Sequence, residues 1–151
     1  MLVIVLDGSE DRIVLWNQIS RKLELIEDLV IFSGRNRFTP VFASWPQNIN
    51  IFSSVVFTLE SLFECNCTRI TLKWSHLENK DLEVILNNWK TGKLPNLTFL
   101  RVDSEIITDN GATILGMNLS ELDGMVIQTD DGSKKATINT GHQMFFEMSI
   151  Y

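Results

Sequence analysis

Metal binding and acid–base catalysis both need converging cysteine, histidine or carboxylate side chains, and this chain offers few. Cys65 and Cys67 stand one residue apart, and the only histidines are His76 and His142. A zinc site would need two more ligands at one of the short spacings such sites use, and neither histidine supplies one. Cys67 therefore reads as a small buried hydrophobe and Cys65 as the end of a helix. Asp130 and Asp131 directly precede Gly132. Turns favour that order for backbone reasons, so the pair reads as a turn rather than as metal ligands. The glycines at positions 8, 34, 92, 111, 116, 124, 132 and 141 are scattered, with none in the order of a phosphate-binding loop. Both histidines lie beside predicted turns, which gives no support to a Ser-His-Asp arrangement. No catalytic, cofactor-binding or metal-ligating residue is assigned, and the expectation is a protein that is not an enzyme and needs no cofactor.

The chain has 151 residues, 44% apolar and 21% charged, with a formal net charge of −6. That length is one domain's worth and can bury a sizeable core. An acidic chain without a basic run is poorly suited to a phosphate backbone, so no nucleic-acid partner is expected. The apolar start Met1–Leu6 is cut short by Asp7, too soon for a signal sequence or a membrane span. No membrane association is expected, and the expected location is intracellular, cytoplasmic or nuclear. The sequons at Asn66, Asn96 and Asn118 are then coincidental.

The clearest elements lie between Cys67 and Val102. Arg69 to Trp74 alternates, with Ile70, Leu72 and Trp74 on one face and Arg69, Thr71 and Lys73 on the other, the period of a half-buried strand. Asn79 is expected to cap a helix over about Lys80–Lys90, whose Leu82, Ile85, Leu86 and Trp89 make one apolar stripe. Gly92 and Pro95 end it. A second strand, Leu97–Val102, completes a βαβ unit with parallel strands. Trp74 and Trp89 read as core anchors.

The triplet Leu97, Leu100, Val102 recurs as Cys67, Ile70, Leu72 and as Leu122, Met125, Ile127. Each follows a candidate helix, at about Ser54–Phe63, Lys80–Lys90 and Gly111–Met117. The pattern resembles the strand-plus-helix unit of leucine-rich repeats. Strands Arg69–Trp74, Leu97–Val102 and Met125–Thr129 are expected side by side. Before them, Leu2–Leu6 and Arg12–Trp16 read as a hairpin. Val30–Ser33 and Phe38–Ser44 read as short strands around Gly34-Arg35-Asn36, and Asn48-Ile49-Asn50 as a break. At the other end, Met125–Thr129 and Lys135–Thr140 flank a turn, and Met144–Tyr151 forms a last strand. The expected fold class is α/β, with leucine-rich-repeat-like strand–helix units and parallel strands, flanked by antiparallel hairpins at both ends. It forms a single domain, 1–151, with a strand-rich section 1–52, a repeat-like section 53–128 and a terminal hairpin 129–151.

Trp74-Ser75-His76-Leu77, Lys80-Asp81-Leu82, Leu86, Trp89, Gly92, Pro95 and Leu97 together resemble the core of the F-box-associated domain (type 2), found behind the F-box in many nematode proteins. Asp131-Gly132, Ala136-Thr137-Ile138, Phe146 and Met148 resemble its closing hairpin. The resemblance spans about Phe52–Tyr151, although Thr129 and Asp130 replace the basic residue usual before that turn. It implies a protein-interaction module, the substrate-recognition region of a ubiquitin-ligase F-box protein, with a protein substrate as partner. The alternative is a stand-alone leucine-rich-repeat-like scaffold with no ligase link. Residues 1–65 read mainly as strands and turns and lack the leucine-proline start and three amphipathic helices of an F-box, so this chain is not expected to bind the ligase adaptor directly. A partner is expected on the strand face opposite Ile70, Leu72 and Trp74, at Thr71, Lys73, Phe99, Arg101, Val126 and Gln128. Its positive charges suit an acidic segment.

Overall fold

A computed structural model of the protein describes residues 1–34, 39–54, 57–141 and 144–151. In chain order its elements are β1 (Leu2–Leu6), α1 (Glu10–Ile19), a 3-10 helix (Ser20–Leu25), β2 (Asp28–Ser33), β3 (Asn48–Phe52) and α2 (Leu59–Glu64). There follow β4 (Arg69–Leu72), α3 (Asn79–Lys90), β5 (Phe99–Asp103), α4 (Leu119–Leu122), β6 (Val126–Gln128), β7 (Lys135–Asn139) and β8 (Phe145–Ile150). The strands form one mixed sheet of 8 in the order β1-β2-β3-β4-β5-β8-β7-β6. β1 to β5 are parallel to their neighbours, and β8, β7 and β6 continue antiparallel.

Register aligns the apolar residues of successive strands into two rows on one face. One row runs Ile4, Ile31, Ile51, Leu72, Val102, Phe146, and the other Leu29, Ile49, Ile70, Leu100, Met148, Ile138. All twelve are buried, in one cluster with Trp16 of α1, Leu23, Leu62 of α2, Leu82, Ile85, Leu86 and Trp89 of α3, and Leu119 and Leu122 of α4. The helices therefore share that face. Each fully buried aliphatic side chain contributes about 1.5–3 kcal/mol, which fixes the register: a one-residue slip would expose a whole row.

The βαβ unit stands as expected. β4 and β5 pair in parallel, α3 buries its stripe, and Trp89 is 1% exposed. Gly92 closes α3 at φ 86, its N–H donating to the Trp89 carbonyl at 3.0 Å. One detail differs. Glu78 is the N-cap residue, and its N–H donates to Asp81 Oδ2 at 2.8 Å. Asn79 is instead buried and faces the loop after β5. Its Nδ2 donates to the carbonyls of Thr108 and Ala112 at 2.7 and 3.0 Å, and its Oδ1 accepts from Thr108 N–H at 3.1 Å. Gly111 is required there, because a Cβ would lie 2.6 Å from the Asn79 side chain.

Other expectations are corrected. Arg12–Trp16 lies within helix α1, and β1 pairs in parallel with β2, so there is no N-terminal hairpin. The acidic first turn Glu10-Asp11 and the three-residue spacing of Ile13, Trp16 and Ile19 favour the helix. Asn48-Ile49-Asn50 forms most of β3, with Ile49 inward, instead of a break. Residues 39–44 contain no strand, and α2 starts only at Leu59. The expectations for Arg35, Asn36, Phe38, Val55, Val56 and His142 lie outside the described residues. No helix covers Gly111–Met117, where Ile114 and Met117 form an isolated bridge. The strand at 126–128 does not lie beside β5. It is the far edge of an antiparallel hairpin, separated from β5 by β8 and β7. That removes the third unit of the expected repeat, and the sheet is not a run of equal strand–helix units.

Candidate interaction surface

Alternate strand residues point away from the helices. Register again forms rows. One runs Val3, Val30, Asn50, Thr71, Arg101, Glu147, Asn139, and another Asp28, Asn48, Arg69, Phe99, Ser149, Thr137, Val126. A third begins Val5, Phe32, Phe52 and, one residue beyond the paired part of β4, reaches Lys73. None of these side chains is fully buried, so among the described residues this face has no layer over it. All six residues singled out from the sequence are on it. Thr71, Lys73, Phe99 and Arg101 are neighbours on β4 and β5 or just beyond. Val126 and Gln128 stand three strands from Phe99, about 14 Å at ordinary strand spacing.

Cations on this face lie over aromatic rings. The Arg69 guanidinium is 4.3 Å from the Phe99 ring centroid, Arg101 is 4.4 Å from Phe145, and Lys73 Nζ is 5.5 Å from Phe52. Arg101 is also paired, with Nε 2.8 Å from Asp103 Oδ1 and Nη1 3.2 Å from Glu147 Oε2. Among the described residues Arg69 and Lys73 have no carboxylate within ion-pair distance. The charge open to an acidic partner therefore rests on β4 and its extension more than on Arg101.

Trp74 was expected in the core and is instead 65% exposed. The strand stops at Leu72, and Trp74 turns out of the alternation at φ 50. A left-handed backbone costs an L-residue about 1–2 kcal/mol, so its surroundings must hold it. Both flanks are fixed. The Lys73 carbonyl accepts from Ser54 N–H and Ser54 Oγ, each at 2.9 Å, and Ser75 N–H donates to the Asp103 carbonyl at 2.9 Å. Ser75 Oγ accepts from Leu77 N–H at 3.1 Å, and the Leu77 carbonyl accepts from Ser104 Oγ at 2.7 Å. Trp74 divides two clefts, of about 300 Å³ toward Met144 and Phe145 and about 290 Å³ toward His76 and Ile106. Sequence reasoning missed this residue because period-two alternation was carried two positions past the strand's end.

Three of the groups considered first for chemistry, Asp131, Cys65 and Cys67, have structural roles. Asp131 Oδ1 accepts from Ser133 N–H, Ser133 Oγ and Thr129 Oγ1 at 2.9, 2.7 and 2.7 Å. The Ser133 bonds, then the Thr129 bond, hold its carboxyl down at about 2. Cys65 caps the end of α2 and Cys67 is buried. The side-chain hydrogen bond between them raises the Cys67 thiol, with burial adding to it, and lowers that of Cys65. Among the described residues no three His, Cys, Asp or Glu side chains are grouped to hold a metal ion. No helix of the described residues is long and apolar enough to cross a membrane.

Residues 43–102, from the approach to β3 through β5, match the family described as F-box associated. No curated protein and no solved structure matches the chain.

Proposed function

Since this chain carries an F-box associated region over residues 43–102, we propose that it is a protein-interaction module, the substrate-recognition part of a ubiquitin-ligase F-box protein. The observation that carries the reading is the uncovered sheet face, with its half-buried aromatics and its two cations, Arg69 and Lys73, that lack a carboxylate partner among the described residues. Sheets backed by helices on one side commonly bind through the other. We place the protein substrate across Thr71, Lys73, Phe99 and Arg101, with Val126 and Gln128 reached only by a larger partner. The module acts by binding and performs no catalysis, and it works inside the cell, in cytoplasm or nucleus. The described residues within 1–65 run β1, α1, a 3-10 helix, β2, β3 and α2, strands of the sheet with short helices between them instead of the three packed helices of an F-box, so the chain does not engage the ligase adaptor by itself.

Affinity purification from the source organism tests this reading, with wild type and Phe99→Ala compared. Ligase scaffold subunits and a substrate should co-purify with a version carrying an F-box, and Phe99→Ala should reduce substrate but not scaffold. A substrate with no scaffold would favour the other reading, a stand-alone binding scaffold that uses the same open strand face. Robust binding of purified adaptor to this chain alone would contradict the assignment of its first 65 residues. Phe99→Ala is a cleaner probe than Arg101→Glu, which would bring a third carboxylate against Asp103 and Glu147 and so disturb the fold as well.

A further inference from the structure

Resting on the reading of the chain as a protein-binding module, we propose that Trp74 anchors its docking surface, and that the occupant is a partner-protein segment presenting a bulky apolar side chain beside a carboxylate. Trp74 is the largest side chain the fold leaves outside its core, and the chain holds it there in a backbone conformation that bulky residues avoid. A large aromatic whose backbone is held by hydrogen bonds on both flanks has only its two side-chain torsions left to lose on binding, which suits an interface anchor.

Its surroundings continue the apolar surface. Phe52 meets Trp74 edge to face with centroids 6.5 Å apart, and Phe32 stacks on Phe52 at 4.6 Å. On the other side, across the two clefts, Met144 is 56% and Ile106 is 50% exposed. A bulky side chain entering either cleft would pack against the indole.

Charge selects the rest of the partner. Lys73 directly precedes Trp74 and lies over Phe52 with no carboxylate near it among the described residues. Beyond the indole stand Asp103, already paired with Arg101, and Glu105. A partner carboxylate is therefore attracted on the Phe52 side and repelled on the Glu105 side, which orients the segment as well as selecting it.

The test uses the full chain and three synthetic decapeptides in which leucine alternates with aspartate, asparagine or lysine. Binding is read by calorimetry and by intrinsic fluorescence, with Trp74→Phe as the optical control. At physiological salt, where the repulsion between net charges is largely screened and contact charges still act, the aspartate peptide should bind below about 1 mM, and the asparagine and lysine peptides progressively more weakly. Trp74→Ala should weaken the aspartate peptide about 30-fold or more, and Lys73→Gln should erase most of the preference for aspartate over asparagine. Trp74→Gly relieves the backbone strain, so it should lose binding while the melting temperature holds or rises.

Failure of all three peptides to bind, or equal binding of the aspartate and asparagine peptides, overturns the ligand class. Undiminished binding of the aspartate peptide by Trp74→Ala overturns the anchor. If Phe99→Ala then abolishes that binding, the sheet-face reading survives and only the Trp74 assignment falls. A dimer of the free chain that Trp74→Ala dissociates would put a second copy in the clefts and also overturn the proposal.

Discussion

Trp89 and Trp74 lie fifteen positions apart, and the fold treats them oppositely. Trp89 fills the space between α3 and the sheet, yet its Nε1 is buried with no hydrogen-bond partner among the described residues. Its value is therefore its volume. Trp89→Ala should cost about 3–5 kcal/mol through the cavity it leaves. Trp89→Phe should cost only about 1 kcal/mol, because loss of the unsatisfied donor offsets part of the lost packing. Urea unfolding of the two variants measures the difference, and equal destabilisation would mean that the indole N–H matters. Only one of these tryptophans was legible in the sequence. Trp89 belongs to a stripe of four apolar residues on a twelve-residue helix, where periodicity is well sampled. Trp74 hung on a strand of four residues, where a single left-handed residue just past the end, Trp74 itself, breaks the alternation.

At the scale of elements, the βαβ unit from β4 to β5 could be read because each signal, alternation, stripe and stop, pointed the same way. In the N-terminal third only the strands Leu2–Leu6 and Val30–Ser33 could be read, and both are present as β1 and within β2. Asn48-Ile49-Asn50-Ile51-Phe52 is an alternating strand whose outward residues include two asparagines, and asparagine signals turns when taken alone. The third strand of the supposed repeat failed for a different reason: β8, last in sequence, inserts between β5 and β7, a pairing that no local pattern encodes. Three of the six residues on the candidate surface had their setting misjudged as a result. Val126 and Gln128 were brought too near, and Arg101 was read without the Glu147 that β8 supplies. Local pattern also hid the role of Asn79, which joins α3 to the loop after β5. Asn79→Ala would strand the groups that bond it and should cost about 3 kcal/mol, lowering the melting temperature by about 6–12 °C for a chain of this size. Amide exchange should accelerate at Thr108 more than in β5. A uniform increase across the sheet would show that Asn79 supports the whole core instead of the loop.

For the whole molecule, one side of the sheet carries the helices and the apolar rows, and the other carries aromatics, cations and short ion pairs. On the proposed reading stability and recognition fall on opposite faces, so substitutions at Phe99 or Trp74 should change binding without emptying the core. The sheet also has a lateral boundary. β1 is an end strand, and its sequence Leu-Val-Ile-Val-Leu contains no proline, glycine or charge to discourage another strand from pairing with it. Mutual repulsion from a net charge of −6 would then oppose pairing of two such edges. That repulsion vanishes near the isoelectric point of about 4.8. Light scattering should rise steeply as the pH approaches that value, while circular dichroism still reports a folded sheet. Val3→Lys, on the outward face of β1, should suppress scattering at a matched distance from its own isoelectric point. Unchanged scattering would place the sticking surface elsewhere. Suppressed scattering would mean that colloidal behaviour, and with it how concentrated this protein can be held, is set by five residues at the rim of the sheet.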